Sequence, residues 1–167
     1  RMEYKYNEVA RKCGINVPDY KLLDGKYFAS KRFDIENGKR LHIATAGALL
    51  NESISNPKLD YKVLLHLTGY LTQDSAQVDE MFQRMVFNVL TDNKDDHVKN
   101  FSFICREGKW SLAPAYDLTL CKEGYHGEHA TSANNKGNPD IEDMLAVGES
   151  IRIPRRKGME IINHMIN

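Results

Sequence analysis

A polar run that follows an apolar helical segment constrains this chain more than any other feature. Residues 91–100 read Thr-Asp-Asn-Lys-Asp-Asp-His-Val-Lys-Asn, and Ala-Pro-Ala-Tyr-Asp follows at 113–117. Acidic and amide side chains are poor core material, so the run is predicted to form a turn or loop. The same groups are suitable ligands for a hard divalent cation, and a carboxylate is a suitable base for a hydroxyl. The run therefore indicates a chemical site.

The rest of the chain predicts a domain of helices and short strands. Apolar residues at helical spacing predict helices, and alternating residues around turn signals predict strands. Helices are predicted at 3–13, 62–70, 75–90 and 141–147, followed by a last amphipathic helix carrying Met159, Ile162 and Met165. A hairpin is predicted at 20–33 around Asp24-Gly25, residues 44–50 are ambiguous, and the polar segment 124–139 is predicted to be a mobile loop.

Two strands after the polar run are predicted to bring its end close to Asp117. These strands are residues 100–105 and 110–113, joined by a turn at 106–109. If the turn is centred on this segment, Asn100 lies opposite Ala115, and Asp117 lies two residues beyond that pair. We therefore expect Asp95, Asn100 and Asp117 to surround one small volume.

Composition excludes several classes of protein. Twenty-three basic residues balance twenty-three acidic ones, so no net charge favours nucleic acid. The three cysteines lack C-x-x-C spacing, which argues against a disulfide scaffold and a zinc knuckle. No apolar run approaches the roughly 18 residues of a membrane span, so a cytoplasmic protein is predicted. Walker A, G-x-G-x-x-G, G-x-S-x-G and EF-hand patterns are all absent.

Spacing alone leaves the role of the acids open, because Asp92, Asp95 and Asp96 are also compatible with a solvated loop. The order of the motifs along the chain gives further information on the role of these acids. The phrases that carry it are Asn88-Val89-Leu90-Thr91-Asp92, the run from Asp95 to Phe103, Leu112 to Leu118, Ser30 to Asp34, and Gly14 to Pro18. In this order they resemble the C-terminal domain of HipA-type toxin kinases, from about Glu3 to Leu118. The resemblance implies an α+β, protein-kinase-like fold: a mainly helical C-lobe with a catalytic β-hairpin.

The resemblance also implies roles for individual residues. Asp95 is expected to be the catalytic aspartate, and Asn100 and Asp117 are expected to bind Mg²⁺. The expected nucleotide-binding residues are Lys31, Arg32, Phe33, His97, Val98, Lys99, Asn100, Tyr116 and Asp117. Residues 31–33 match the interlobe connection, whose backbone binds the adenine edge. Lys31 stands where the family often has an acidic residue, which affects a side-chain role but not a backbone one.

The implied activity is ATP- and Mg²⁺-dependent phosphorylation of protein serine or threonine by the toxin of a toxin–antitoxin system. Expected partners are a protein substrate such as an aminoacyl-tRNA synthetase and a helix-turn-helix HipB-like antitoxin, without direct nucleic-acid or membrane binding. Residues 1–167 are expected to be a fragment of one kinase C-terminal domain, with the interlobe connection in 1–34. No glycine-rich phosphate loop or strand lysine is present, so this fragment alone is expected to be nearly inactive.

Three alternatives stay open. A degenerate kinase could serve as a binding module, since the phosphate loop is missing from the sequence. A metal-dependent nuclease could use Asp95, Asp96 and Asp117. A kinase of lipids or small molecules would use a similar D-x-H-x-x-N phrase.

Overall fold

A computed structural model describes residues 1–55 and 59–167 and contains six helices and seven short strands in this part of the chain. The helices are α1 Met2–Lys12, α2 Ala46–Leu50, α3 Tyr61–Thr72, α4 Ser75–Leu90, α5 Ile141–Ser150 and α6 Arg155–Ile166. The strands are β1 Tyr20–Leu23, β2 Tyr27–Ser30, β3 Ile35–Glu36, β4 Lys39–Arg40, β5 His42–Thr45, β6 Ser102–Arg106 and β7 Lys109–Leu112. The predicted α+β class is confirmed.

Helix α4 forms the centre of the larger hydrophobic core. It begins after Asp74, whose carboxylate accepts the backbone N–H of Ala76. Its apolar face, predicted from the sequence, is buried against α3, α5 and α6. Phe82 shows how tightly these helices pack, because a Cβ at Gly148 of α5 would lie 2.8 Å from its ring. The buried residues of α4 include Met81, Phe82, Met85 and Val86.

A three-stranded antiparallel sheet, in the order β5-β6-β7, connects the end of the polar run to residues 113–117. Phe103 pairs with Leu112, and Arg106 pairs with Lys109 across the predicted turn. This register places Asn100 opposite Ala115 when it is continued beyond the strands, as expected. The third strand, β5, ends inside the region 44–50 that the sequence left ambiguous, and α2, which follows the N-cap Thr45, fills the rest of that region.

A smaller core cluster fixes the N-terminal segment to the rest of the domain. Ile15 and Val17 pack with Phe87 of α4 and with Ala115 and Leu118. The cluster also includes Ala10 and Cys13 of this segment. The predicted β1–β2 hairpin follows, although its second strand ends at residue 30 and not at 33. None of the helices in the described ranges is both long and apolar enough to cross a membrane.

The segment 124–139 is irregular, as predicted, but its second half is packed into the protein. His129, Thr131 and Ala133 are buried. The backbone of Ser132 bonds to Leu59 on one side and to Tyr61 on the other. The prediction of a mobile loop is therefore wrong for residues 129–133, because these residues fill space beside α3.

Candidate active site

The polar run begins where α4 ends, and backbone hydrogen bonds hold it against two other segments. The N–H of Asn93 donates to the carbonyl of Asn88 at 3.0 Å. The N–H of Lys94 donates to the carbonyl of Cys121, which lies beyond Asp117 in the chain, at 3.0 Å. Asp92 has a φ of 54°, a left-handed conformation that Asp tolerates and that turns the chain away from the helix axis. The run is therefore an anchored loop.

Within this loop, Asn100 contacts Asp95, the residue that is expected to be the catalytic aspartate. The side-chain nitrogen of Asn100 donates to the backbone carbonyl of Asp95 at 2.8 Å, which leaves its side-chain oxygen to face a ligand. The carboxylate of Asp95 is half-exposed, and one of its oxygens lies 3.8 Å from Nε2 of His97. The other ring nitrogen of His97 accepts the N–H of Lys99 at 3.3 Å, so this histidine orients the loop.

Tyr116 and Asp117 reach the same loop from the end of β7. The Tyr116 hydroxyl donates to the carbonyl of Lys99 and also contacts the hydroxyl of Ser102. Burial raises the pKa of Tyr116, so it stays a neutral donor. Asp117 is exposed, with a φ of 53°. The turn at Asp117 follows from this left-handed conformation.

Asn100 and Asp117 line the same small cavity, together with Asn93. Asp117 also lines a wider depression with Glu3 and Phe28. Oxygen atoms of carboxamide and carboxylate groups are suitable ligands for Mg²⁺, so the side-chain oxygens of Asn100 and Asp117 fit the metal that the sequence implies. The described residues contain no group of three or more His, Cys, Asp or Glu side chains placed to hold a metal.

The predicted interlobe connection lies next to this site. The ring of Phe33 stacks on the ring of Tyr116, with centroids 5.3 Å apart and planes at 28°. Arg32 is exposed and forms an ion pair with Asp34. The N–H of Lys31 donates to the carbonyl of Asp19 at 2.7 Å, while its side chain is exposed. The stack therefore joins residues 31–33 to the segment that carries Asp117.

Two of the candidate nucleotide residues differ sharply in exposure. The side chain of Lys99 is exposed, whereas that of Val98 is buried. Val98 packs so closely on α2 that a Cβ at Gly47 would lie 2.8 Å from its side chain. Its carbonyl accepts the N–H of Gly47 at 3.0 Å. Only the backbone N–H of Val98 is left for a ligand.

The sequence left open that Asp96 is a solvated acid of the loop, and the position of Asp96 in the structure shows that this interpretation is wrong. Asp96 is 1% exposed, and its Oδ2 atom lies 2.7 Å from the Tyr61 hydroxyl and 2.9 Å from Nδ1 of His129. Its other oxygen accepts the N–H of Thr131 at 3.2 Å. Both carboxylate oxygens of Asp96 are therefore hydrogen-bonded inside the protein. The nuclease interpretation loses one of its three proposed carboxylates.

The sequence contains no signal that identifies these contacts. Tyr61 and His129 lie more than 30 positions from Asp96 on either side, and neither belongs to a motif with it. A second missed contact is the ion pair of buried Arg84 with Glu80, where Arg84 also donates to the carbonyl of Ala113 at 2.8 Å. Burial lowers the pKa of Arg84. This contact ties α4 to the end of β7.

Comparison with known proteins places the chain among kinase-like folds. The sequence profile of a family described as "HipA-like C-terminal domain" matches residues 1–167. A relative named "Putative kinase Y4dM", from Sinorhizobium fredii, is 29% identical over 150 residues; the match covers 79% of this chain and 36% of the relative.

Two solved structures resemble the fold. One is a chain of the complex of HipA, HipB and operator DNA from the toxin–antitoxin system of Shewanella oneidensis MR-1, with a TM-score of 0.81 and 21% identity. That match covers 98% of this chain and 46% of the other. The second is the proinflammatory kinase CtkA of Helicobacter pylori, with a TM-score of 0.59, 14% identity, and coverage of 99% and 80%. The expected protein-kinase-like fold is confirmed, and the chain spans less than half the length of the first two relatives.

Proposed function

Because the chain belongs to the HipA-like C-terminal domain family, we propose that it carries the catalytic loop of an ATP- and Mg²⁺-dependent protein serine/threonine kinase. Residues 1–167 form one kinase C-terminal domain in this proposal, and residues 1–34 include the interlobe connection. One observation supports it above the others: Asn100 bonds to Asp95 and lines one cavity with Asp117.

Asp95 is the catalytic residue of the proposal. Its half-exposed carboxylate accepts the proton of a substrate hydroxyl as that oxygen bonds to the γ-phosphorus of ATP and the bond to ADP breaks. Asn100 holds the backbone of Asp95, and His97 lies beside its carboxylate. The carboxylate is thereby oriented towards solvent, where a protein substrate can approach.

Asn100 and Asp117 are the metal ligands of the proposal. Mg²⁺ bound there supplies positive charge next to the nucleotide phosphates. Asn100 contributes its side-chain oxygen, because its nitrogen is already bonded to Asp95. Asp117 contributes a carboxylate at an exposed turn. Tyr116 fixes that turn through its bond to Lys99.

The nucleotide base is proposed to bind along residues 31–33, with Tyr116 and residues 97–99 beside the phosphates. Lys31 acts through its backbone carbonyl, since its N–H is bonded to Asp19. Arg32 acts through its backbone, since its side chain is paired with Asp34. Phe33 supports this edge through its stack on Tyr116. Lys99 is exposed and free to approach a phosphate, whereas Val98 acts through its N–H.

The biological setting is also a proposal. We expect a cytoplasmic toxin held by a helix-turn-helix HipB-like antitoxin, which supplies any DNA contact, and a protein target such as an aminoacyl-tRNA synthetase. The likeness to a HipA chain of a HipA–HipB–DNA complex supports this setting. Residues 1–167 alone are expected to transfer phosphate poorly, because their sequence has no glycine-rich loop and no strand lysine.

Transfer of labelled phosphate from ATP by the full-length gene product tests the proposal. Asp95→Asn is expected to lower kcat on the order of 100- to 10,000-fold. Asp92→Asn is the matched control and is expected to keep full activity. Asn100→Ala and Asp117→Asn are expected to weaken Mg²⁺ binding. Full transfer by Asp95→Asn would contradict the catalytic assignment. ATP binding by the wild type without any transfer would favour the degenerate binding module.

A further inference from the structure

A chain of buried hydrogen bonds leads from Asp96 to the candidate metal site, and its direction is fixed at one end. The Tyr61 hydroxyl donates to a carboxylate oxygen of Asp96, which accepts. The oxygen of Tyr61 then accepts the side-chain nitrogen of Asn88, at 3.0 Å. Burial raises the pKa of Tyr61 well above its usual value, which keeps this hydroxyl protonated.

The direction of the chain determines which atom remains at its other end. Because Asn88 donates to Tyr61, its side-chain oxygen accepts the nitrogen of Asn93, at 2.9 Å. The oxygen of Asn93 is left over. It is buried and has no hydrogen-bond partner among the described residues. Leaving such an acceptor unmatched costs about 1–3 kcal/mol, so a donor from outside the protein is expected beside it.

The surroundings of Asn93 indicate what this donor is. Asn93 lines the same small cavity as Asn100 and Asp117, and the free space there has room for about one water molecule. Asn100 and Asp117 both present oxygen acceptors, since the nitrogen of Asn100 is bonded to Asp95. A water molecule has two hydrogens to donate, which matches one acceptor on each side.

We propose that Asn93 is a positioning residue: its side-chain oxygen accepts one hydrogen of a buried water molecule, which donates its other hydrogen to one oxygen of the Asn100 and Asp117 pair and so links the Asp96 chain to the candidate metal site. This inference rests on the proposed function only for the role of Asn100 and Asp117 as metal ligands. The water transmits the fixed orientation of Asn93 to the side chain that accepts its second hydrogen. Metal affinity then depends on a residue that binds neither the metal nor the nucleotide.

A crystal structure at a resolution that shows ordered water tests the first part. We expect one water within about 3.2 Å of the Asn93 side-chain oxygen. The variant Asn93→Leu has similar size but no acceptor, and its structure is expected to lack this water. A wild-type cavity without water overturns the inference, whether it stays dry or is closed by a protein donor.

Manganese binding, followed by the electron paramagnetic resonance signal of free Mn²⁺, tests the second part in the full-length protein. Asn93→Leu is expected to weaken binding about 10-fold, the size of effect that residues outside the ligand shell have at metal sites. Thr68→Val is the control: Thr68 is also buried, but its hydroxyl donates to Leu64 of the same helix, α3, so binding should stay unchanged.

If Asn93→Leu does not fold by circular dichroism, Asn93→Ala is measured in its place with the same expected weakening. Unchanged binding in the folded variant overturns the positioning role. If Asn100→Ala and Asp117→Asn also leave binding unchanged, the proposed metal site itself fails, and the positioning role fails with it. The crystal structure still decides the water on its own.

Discussion

Asp95 and Asp96 are neighbours in sequence with opposite surroundings. The side chain of Asp95 is half-exposed, while that of Asp96 is 1% exposed and accepts bonds from three residues. A buried carboxylate is compatible with folding only when it is paired and hydrogen-bonded in this way. One residue of the loop is therefore available for chemistry because the next one fixes the backbone.

Replacement of Asp96 by Asn is expected to destabilise the protein by about 1–3 kcal/mol, because at least one buried donor then faces an amide nitrogen. Urea denaturation followed by circular dichroism measures the change. Asp92→Asn is the control, with an expected change within about 0.5 kcal/mol, since Asn also tolerates the positive φ of this position. Equal effects of the two substitutions would contradict the structural role of Asp96.

At the scale of single elements, two glycines show how helix packing differs between α2 and α3. A Cβ at Gly47 would lie 2.8 Å from Val98, whereas a Cβ at Gly69 would lie 3.4 Å from Val78, an ordinary contact. Helix α2 is therefore in close contact with the loop that carries Asp95. Helix α3 has room for a methyl group at Gly69.

Gly47→Ala is expected to destabilise the protein by about 1–3 kcal/mol through overpacking against Val98. Gly69→Ala is expected to be neutral or to stabilise it by up to about 1 kcal/mol, because alanine is the better helix former. Thermal unfolding of both variants gives the comparison. A loss of stability in Gly69→Ala as large as in Gly47→Ala would contradict this difference in packing.

Helix α5 provides a pH-dependent contribution to stability. Hydrogen bonds from the Asn134 side chain and the Asp140 backbone, with the ion pair to Lys136, lower the pKa of Asp143. A depressed pKa stabilises the folded state above the unfolded value, near 4, and this stabilisation is lost as the pH falls towards the folded value.

The stability difference between wild type and Asp143→Asn is therefore expected to be largest near neutral pH and to shrink as the pH falls below about 4. Urea denaturation from pH 7 to pH 3 measures it. Glu142→Gln serves as a control on the same helix, because Glu142 is exposed and, among the residues that the structure describes, pairs only with Arg155. A difference that stays constant over this range would contradict the assignment.

The same elements show what the sequence could predict. The register that aligns Asn100 with Ala115 when it is continued beyond β6 and β7 followed from strand alternation and a recognisable turn, both of which are local signals. Strand β5 was missed because it is four residues long, and its residues pair with residues of β6 that lie 57 to 63 positions away. The burial of Asp96 was missed for a similar reason: an acid gives no indication in sequence of the partners that accompany it inside a fold.

At the scale of the whole molecule, the two hydrophobic core clusters hold different parts of the chain together. The larger cluster packs helices α3, α4, α5 and α6 together with the β6–β7 hairpin. The smaller cluster attaches the N-terminal segment to Phe87, Ala115 and Leu118. Met165 of α6 packs against both. Residues 31–33, the proposed interlobe connection, thus keep their position relative to Asp117 through a small amount of buried apolar surface.

Ile15→Ala is expected to lower the free energy of unfolding by about 2–5 kcal/mol, because it opens a cavity in the smaller cluster. Val9→Ala, on the exposed side of α1, is the control and is expected to change it by no more than about 0.5 kcal/mol. Amide hydrogen exchange is expected to accelerate most in α1 and the β1–β2 hairpin of Ile15→Ala. Acceleration confined to α5 and α6 would contradict the division into two clusters.

The β6–β7 register limits how this part of the protein can change in evolution. Residues added in matched pairs near Arg106 and Lys109 lengthen both arms equally and leave Asn100 facing Ala115. A single insertion in one arm shifts that pairing and turns every later side chain of the arm to the opposite face, unless a bulge absorbs it. The tip of the hairpin is therefore free to vary in length and composition among relatives, whereas unequal arms would separate the two ends that carry the site.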